Sequence, residues 1–170
     1  YVYFALQLQP EMTTSALGGP FKDQALAIET LARMLPPGVR ILVKENPKQG
    51  AYMRGPMFFH RLARIPQVQF MPSHASTHEL TARALYVASI SGTVGWEAVR
   101  KGKPALVFGH TWYASLPGVH TWHAGLTHEA IVGGPPDHAA LEQAVGQLLA
   151  RGHAGIVERH YTPLVPGYDD

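Results

Sequence analysis

Apolar positions in this chain follow two patterns that alternate almost strictly from end to end. The first is a short unbroken run. Residues 1–8 carry no charge and read as a buried strand. Val39–Val43, Val68–Met71, Leu85–Ile90 and Pro104–Phe108 repeat that pattern, and Val119–Trp122 is a shorter sixth run. The second pattern has helical spacing. Phe21, Ala25, Ile28, Leu31, Ala32 and Leu35 share one face of a helix that Pro20 opens and Pro36-Pro37-Gly38 stops. A helix is expected over 54–64, with Pro56 in its first turn. Ser76-Thr77-His78-Glu79 has capping-box form and predicts a helix through Ala84. Another runs from Trp96 to Lys101 and ends at Gly102. Asp137 caps a last helix with Leu141, Val145 and Leu148 on one face, and Gly152 ends it. Residues 9–20, rich in Thr, Ser and Gly, are expected to form a loop, and 153–170, with two prolines and no period, a tail.

Short apolar strands alternating with helices predict an α/β fold. The expectation is a Rossmann-like parallel sheet of five or six strands with helices on both faces, its central order set by strands 1, 2, 4 and 5. A length of 170 residues suits a single domain, 1–170. The chain begins inside the first strand, without an initiator Met, and is expected to be a domain excised from a longer protein.

In such a sheet, ligands bind beyond the carboxyl ends of the strands. Four loops at that edge carry the polar content: Gln9–Thr14, Lys44–Gln49, Ser91–Glu97 and His110–Tyr113. The opposite edge has plain turns, such as Pro36-Pro37-Gly38 and Gly102-Lys103. This asymmetry predicts a ligand site. Ser91-Gly92-Thr93 joins a strand to a helix, so backbone N–H groups and the positive end of the helix dipole point at one spot. Ser91 and Thr93 add hydroxyls there, and Glu97, one turn into the helix, is placed to accept hydrogen bonds from a ribose. The stretch fits the phosphate end of a nucleotide site. It equally fits a plain turn whose glycines serve geometry.

Lys44 and Lys48 bracket Asn46-Pro47, as a receptor for phosphate or carboxylate or as two solvated surface cations. Gln9, Lys48, His110, Trp112 and Tyr113 are the expected substrate contacts, although Trp112 and Tyr113 fit simple packing as well. Trp96 is expected in the core. Glu11 is the best lone acid, and no G-x-S-x-G elbow is present.

Composition narrows the chemistry. The formal charge is +2 and the 14 Lys and Arg are scattered, unlike the basic stripe of a nucleic-acid binder. The absence of cysteine excludes disulfides, a thiol nucleophile and a cysteine-ligated metal. Ten histidines raise the question of metal. However, His74 and His78 straddle the N-cap Ser76, and His120 and His123 lack a third ligand, so no metal is expected. No apolar run reaches the roughly 18 residues of a membrane span.

Taken in order, Gln9-Pro10-Glu11-Met12-Thr13-Thr14, Asp23-Gln24, Val43-Lys44-Glu45-Asn46-Pro47, Ser91 to Ala98, Gly102-Lys103-Pro104, Phe108-Gly109 and Trp112-Tyr113 resemble the capsule polysaccharide biosynthesis family of bacterial glycosyltransferases, which includes the retaining β-Kdo transferases. The resemblance spans roughly residues 1–125. It implies a GT-B enzyme of two Rossmann-like domains, of which this chain is the C-terminal, nucleotide-sugar-binding one. It implies a CMP-activated ulosonic acid as donor substrate, CMP-Kdo foremost, with no separate cofactor. Related CMP-sugar transferases hold the CMP phosphate with a His-Pro pair and a Ser/Thr turn, which map here to Asn46-Pro47 and Ser91-Gly92-Thr93, with Glu97 at the ribose. The attacking acid is then expected in an N-terminal domain. The implied partners are that domain and a glycan or glycolipid acceptor, in the cytoplasm at the inner face of the membrane through peripheral contact. A UDP- or CDP-linked donor, or a stand-alone nucleotide-binding module, are the alternatives.

Overall fold

The computed structural model describes residues 1–153 and 155. The tail expected over 153–170 therefore lies almost wholly outside the described residues. Strands β1 (Val2–Ala5), β2 (Ile41–Lys44), β3 (Val68–Met71), β4 (Val87–Ser89), β5 (Ala105–Val107) and β6 (Val119–Thr121) form one sheet in the order β3-β2-β1-β4-β5-β6. Every pairing is parallel, with Phe4 opposite both Val43 and Ala88, and Ser89 opposite Val107. The Rossmann-like fold expected from the alternation is the one observed, and β1 and β4 lie at its centre.

Successive side chains on a strand point to opposite faces. Val2, Phe4, Ile41, Val43, Ala88, Ile90 and Leu106 build one core with α2 (Gln24–Met34), Leu62 of α3 (Gly55–Ala63) and Ile131 of α6 (His128–Val132). The alternate residues Tyr3, Leu42 and Val87 pack under Leu80 of α4 (Thr77–Arg83), under Ala84 just after it, and under Ala98 of α5 (Val94–Arg100). Ala105 and Val107 meet Val99, Tyr113 and Leu141 of α7 (His138–Ala150). Lys44 and Ser89 fall on the α4/α5 face by the same alternation. There the apolar packing gives way to polar groups at the carboxyl edge.

The strands are shorter than their apolar runs, because the run continues past the ladder into the loops. Helix α2 starts at Gln24, not Pro20. The Asp23 carboxylate accepts from the Ala25 and Leu26 amides at 3.1 and 3.3 Å, and Gly19–Lys22 forms a separate 3-10 turn. Helix α1 (Met12–Leu17) occupies what reads in sequence as a loop. Its Thr and Ser residues are poor helix formers. Tertiary contacts hold it: the Thr14 hydroxyl donates to the Leu8 carbonyl at 3.2 Å, and the Leu17 carbonyl accepts from the His110 amide at 2.9 Å. A Cβ on Gly109 would lie 2.6 Å from the Leu17 carbonyl, so this close approach requires glycine. Helix α6 is also absent from the sequence reading; five residues are too few to show a period.

Candidate functional site

The loops after β1, β2, β4 and β5 enclose a cavity of about 550 Å³ at the carboxyl edge of the sheet. It opens over the β1/β4 junction, where the chain order reverses, the place where doubly wound sheets bind ligands. Glu11, Lys44, Asn46, Pro47, Ser91, Gly92, Thr93, Glu97, His110 and Trp112 line it, ten of the expected site residues brought to one surface.

The turn after β4 is fixed from below. The Ser91 amide donates to Gln7 Oε1 at 2.6 Å, and Gln7 Nε2 donates to Ser91 Oγ at 3.3 Å. The Gly92 amide donates to Ser89 Oγ at 3.2 Å. These two amides are therefore occupied, so the expectation that the backbone N–H groups of this stretch point at a ligand is corrected for Ser91 and Gly92. Thr93 is the N-cap of α5 but makes no side-chain cap bond. Its hydroxyl is exposed, and among the described residues the Thr93 and Val94 amides have no acceptor. Glu97 follows one turn later, half-buried.

Lys44 is the last residue of β2 and only 7% exposed. Its ammonium donates to Thr77 Oγ1 at 3.0 Å and has no carboxylate within salt-bridge distance among the described residues. Thr77 opens α4, so the cation lies at the positive end of a helix. A buried ammonium facing a neutral hydroxyl is destabilising unless an anion joins it. Lys48, by contrast, is exposed in the Asn46 turn and does not line the cavity; it is the solvated cation of the pair.

Two other expected contacts lie elsewhere. Gln9 lines a second cavity with Lys22, Asp23, Arg54 and Arg61. Tyr113 is fully buried, and its hydroxyl donates to the Gly92 carbonyl, so it packs beneath the turn instead of facing a sugar. Burial raises its phenol pKa. Trp112 is 58% exposed at the cavity mouth, edge-on to Trp96 at 5.3 Å, and Trp96 is half-buried beside the third core cluster. Glu11 occupies the N-cap position of α1 at the rim without a side-chain cap bond, its carboxylate 3.5 Å from Thr14 Oγ1.

The sequence profile of the capsule polysaccharide biosynthesis family matches residues 1–153. The chain belongs to that family. No curated protein matches it. Among solved structures, the β-Kdo 2,7-transferase of Thermosulfurimonas dismutans KpsC is similar, with a TM-score of 0.57 and 16% identity over 88% of this chain and 53% of that one. The β-Kdo 2,4-transferase of the same KpsC gives 0.50 and 17% over 87% and 51%. This family member thus shares its fold with those two structures and spans about half their length.

Residues that sequence reasoning missed also line the cavity of this capsule-family domain: Tyr3, Gln7, Glu45, Thr77, Ser89 and Thr111. Tyr3 and Ser89 sit within apolar runs and Thr77 within a capping box, so each had a sufficient structural reading already. The Tyr3 phenol pKa is raised, by burial first and then by the Glu97 carboxylate, while a hydrogen bond with Thr77 opposes both. Among the described residues no three His, Asp or Glu side chains gather as a metal set, and no helix is long and apolar enough to cross a membrane.

Proposed function

We propose that this chain is the donor-nucleotide-binding half of a capsule-polysaccharide glycosyltransferase of the GT-B type, transferring Kdo or a related ulosonic acid from a CMP-sugar to a glycan acceptor. One observation carries the reading: at the β1/β4 switch point one cavity gathers a buried cation, Lys44, which has no anionic partner among the described residues, with the Ser91–Thr93 turn and Glu97. The cation and the turn suit a phosphate or carboxylate, and Glu97 suits a ribose diol. Asn46-Pro47 lies along the same wall, and His110 and Trp112 at the mouth suit the sugar.

In this reading the acceptor and the attacking group come from a second, N-terminal domain across the cleft, and Glu11, at the cavity rim, is the acid this chain offers to the reaction. The full enzyme works in the cytoplasm, against a membrane-borne acceptor that it meets by peripheral contact. Calorimetric titration of the chain with CMP, UMP, CDP and UDP tests the reading. CMP is expected to bind most tightly. A preference for UDP or CDP transfers the site to a different donor class, and no binding of any of the four refutes it.

A further inference from the structure

Arg54 sits outside the cavity yet is tied to three of its walls. Its side chain is 1% exposed and lies 4.9 Å from the centre of the Phe58 ring. Nη2 donates to Glu45 Oε1 and to the Gln7 carbonyl, each at 2.7 Å. Nε donates to the other Glu45 oxygen, and Nη1 donates to Gln9 Oε1 at 3.4 Å. Glu45 Oε1 in turn accepts from the Asn46 amide at 2.8 Å, while the Gln7 side chain holds Ser91. One guanidinium thus connects the loop after β1, the Asn46-Pro47 loop after β2 and, through Gln7, the turn after β4. Only a planar fork with several donors can do this; an ammonium cannot span the carboxylate and the carbonyl together.

The contact with Glu45 has an electrostatic side. Glu45 lines the same cavity as Lys44, Glu11 and Glu97. Unpaired, its carboxylate would oppose an anion at Lys44. Paired with Arg54, it fixes the Asn46 amide with its charge offset.

We propose that Arg54 is the positioning residue of this site: it sets the relative placement of the Asn46-Pro47 loop and the Ser91 turn, and it neutralises Glu45 so that the cavity accepts an anion. The binding part rests on the nucleotide reading above; the positioning part does not. Amide hydrogen exchange on the ligand-free 170-residue chain tests positioning. In Arg54→Met, exchange at Asn46 and Ser91 should quicken by about tenfold or more, with Val87 and Ala88 in β4 unchanged. Equal acceleration everywhere makes Arg54 a stability residue only and overturns the proposal. Arg54→Lys, which keeps the charge on Glu45, should quicken Ser91 but not Asn46; wild-type exchange at Ser91 in that variant also overturns it.

Binding of CMP and cytidine tests the charge. Arg54→Met should weaken CMP by about tenfold and cytidine by less than about threefold. Adding Glu45→Gln should return CMP to within about threefold of wild type, which no merely structural role predicts. No recovery in the double variant, or equal losses for the two ligands, refutes the charge role. A wild-type chain that binds neither CMP nor UMP nor UDP refutes the nucleotide reading, and the exchange data then decide Arg54 alone.

Discussion

Gln7 and Ser91, 84 positions apart, exchange hydrogen bonds in both directions, the Ser91 amide to Gln7 Oε1 at 2.6 Å and Gln7 Nε2 to Ser91 Oγ at 3.3 Å. A carboxamide does what a backbone ladder does elsewhere: it holds the end of β4 to the end of β1 where the strands have already diverged. Gln7→Leu keeps the volume and leaves the Ser91 amide without its acceptor. The expected loss is about 1–3 kcal/mol of unfolding free energy, read from urea denaturation. Gln7→Glu, which keeps the acceptor, should lose less at neutral pH.

Lys44 predicts an opposed pair of effects. Removing a buried cation that has no anionic partner among the described residues should stabilise the apo protein, so Lys44→Met is expected to raise unfolding free energy by about 1–2 kcal/mol. The same change should abolish binding of CMP and of any anionic probe. Thermal melts and titrations on one preparation check both. A lower melting temperature would show that Lys44 is satisfied in a way its contact with Thr77 does not reveal.

Thr93 and Glu97 should act on different parts of one ligand. Thr93→Ala removes a hydroxyl donor but no backbone amide, and should weaken CMP and inorganic phosphate alike, by about 1 kcal/mol and up to about 3 for a bond to a charged group. Glu97→Gln should weaken CMP by a similar amount and leave phosphate unchanged, because phosphate has no ribose. Equal losses for the two ligands in Glu97→Gln would remove Glu97 from the ribose.

Gly95 faces Tyr113. A Cβ there would lie 2.6 Å from the Tyr113 hydroxyl and 3.0 Å from its ring. Gly95→Ala should therefore cost about 1–3 kcal/mol by overpacking. The cost should be smaller on a Tyr113→Phe background, where the nearest atom is gone. Additive losses in the double-mutant cycle would show that the clash is relieved by backbone movement.

Acid sensitivity has identifiable sources among the described residues, His128 and Glu29 among them. Burial lowers the pKa of His128 below the usual 6.5, with the Glu129 carboxylate opposing it, and the Tyr86 hydroxyl lies 3.3 Å from Nδ1. The unfolded chain therefore binds a proton here more readily than the folded one. This contribution to stability is present above pH 6.5 and is lost as the pH falls through the lowered folded value. Glu29 is lowered from 4.5, chiefly by its hydrogen bond with Arg61. Its contribution is present above pH 4.5 and is lost as the pH falls through its own lowered value. Denaturation of wild type and His128→Gln across pH 4–8 should show the first loss in wild type only; parallel curves would refute it.

By itself the sequence determined the α/β class, the order of strands and most helices, and the sheet edge that carries polar loops. It could do so because these rest on local pattern: unbroken apolar runs such as Ile41–Val43, period-3.6 faces such as Ile28 and Leu31, and caps such as Ser76 and Asp137. Tertiary structure alone decided what each polar residue does. Lys44 and Lys48 read alike in sequence. One is buried because strand alternation turns it under α4, and the other is exposed because its loop has left the sheet. Trp112 and Tyr113 are neighbours, yet one lines the cavity mouth and the other lies under Gly92. Gln7 and Arg54 carry no motif, since their roles depend on partners up to 84 positions away, a separation that no periodicity spans. Helix α1 exists only because the loop after β5 and Leu8 satisfy its backbone and hydroxyls, interactions that form when the strands come together.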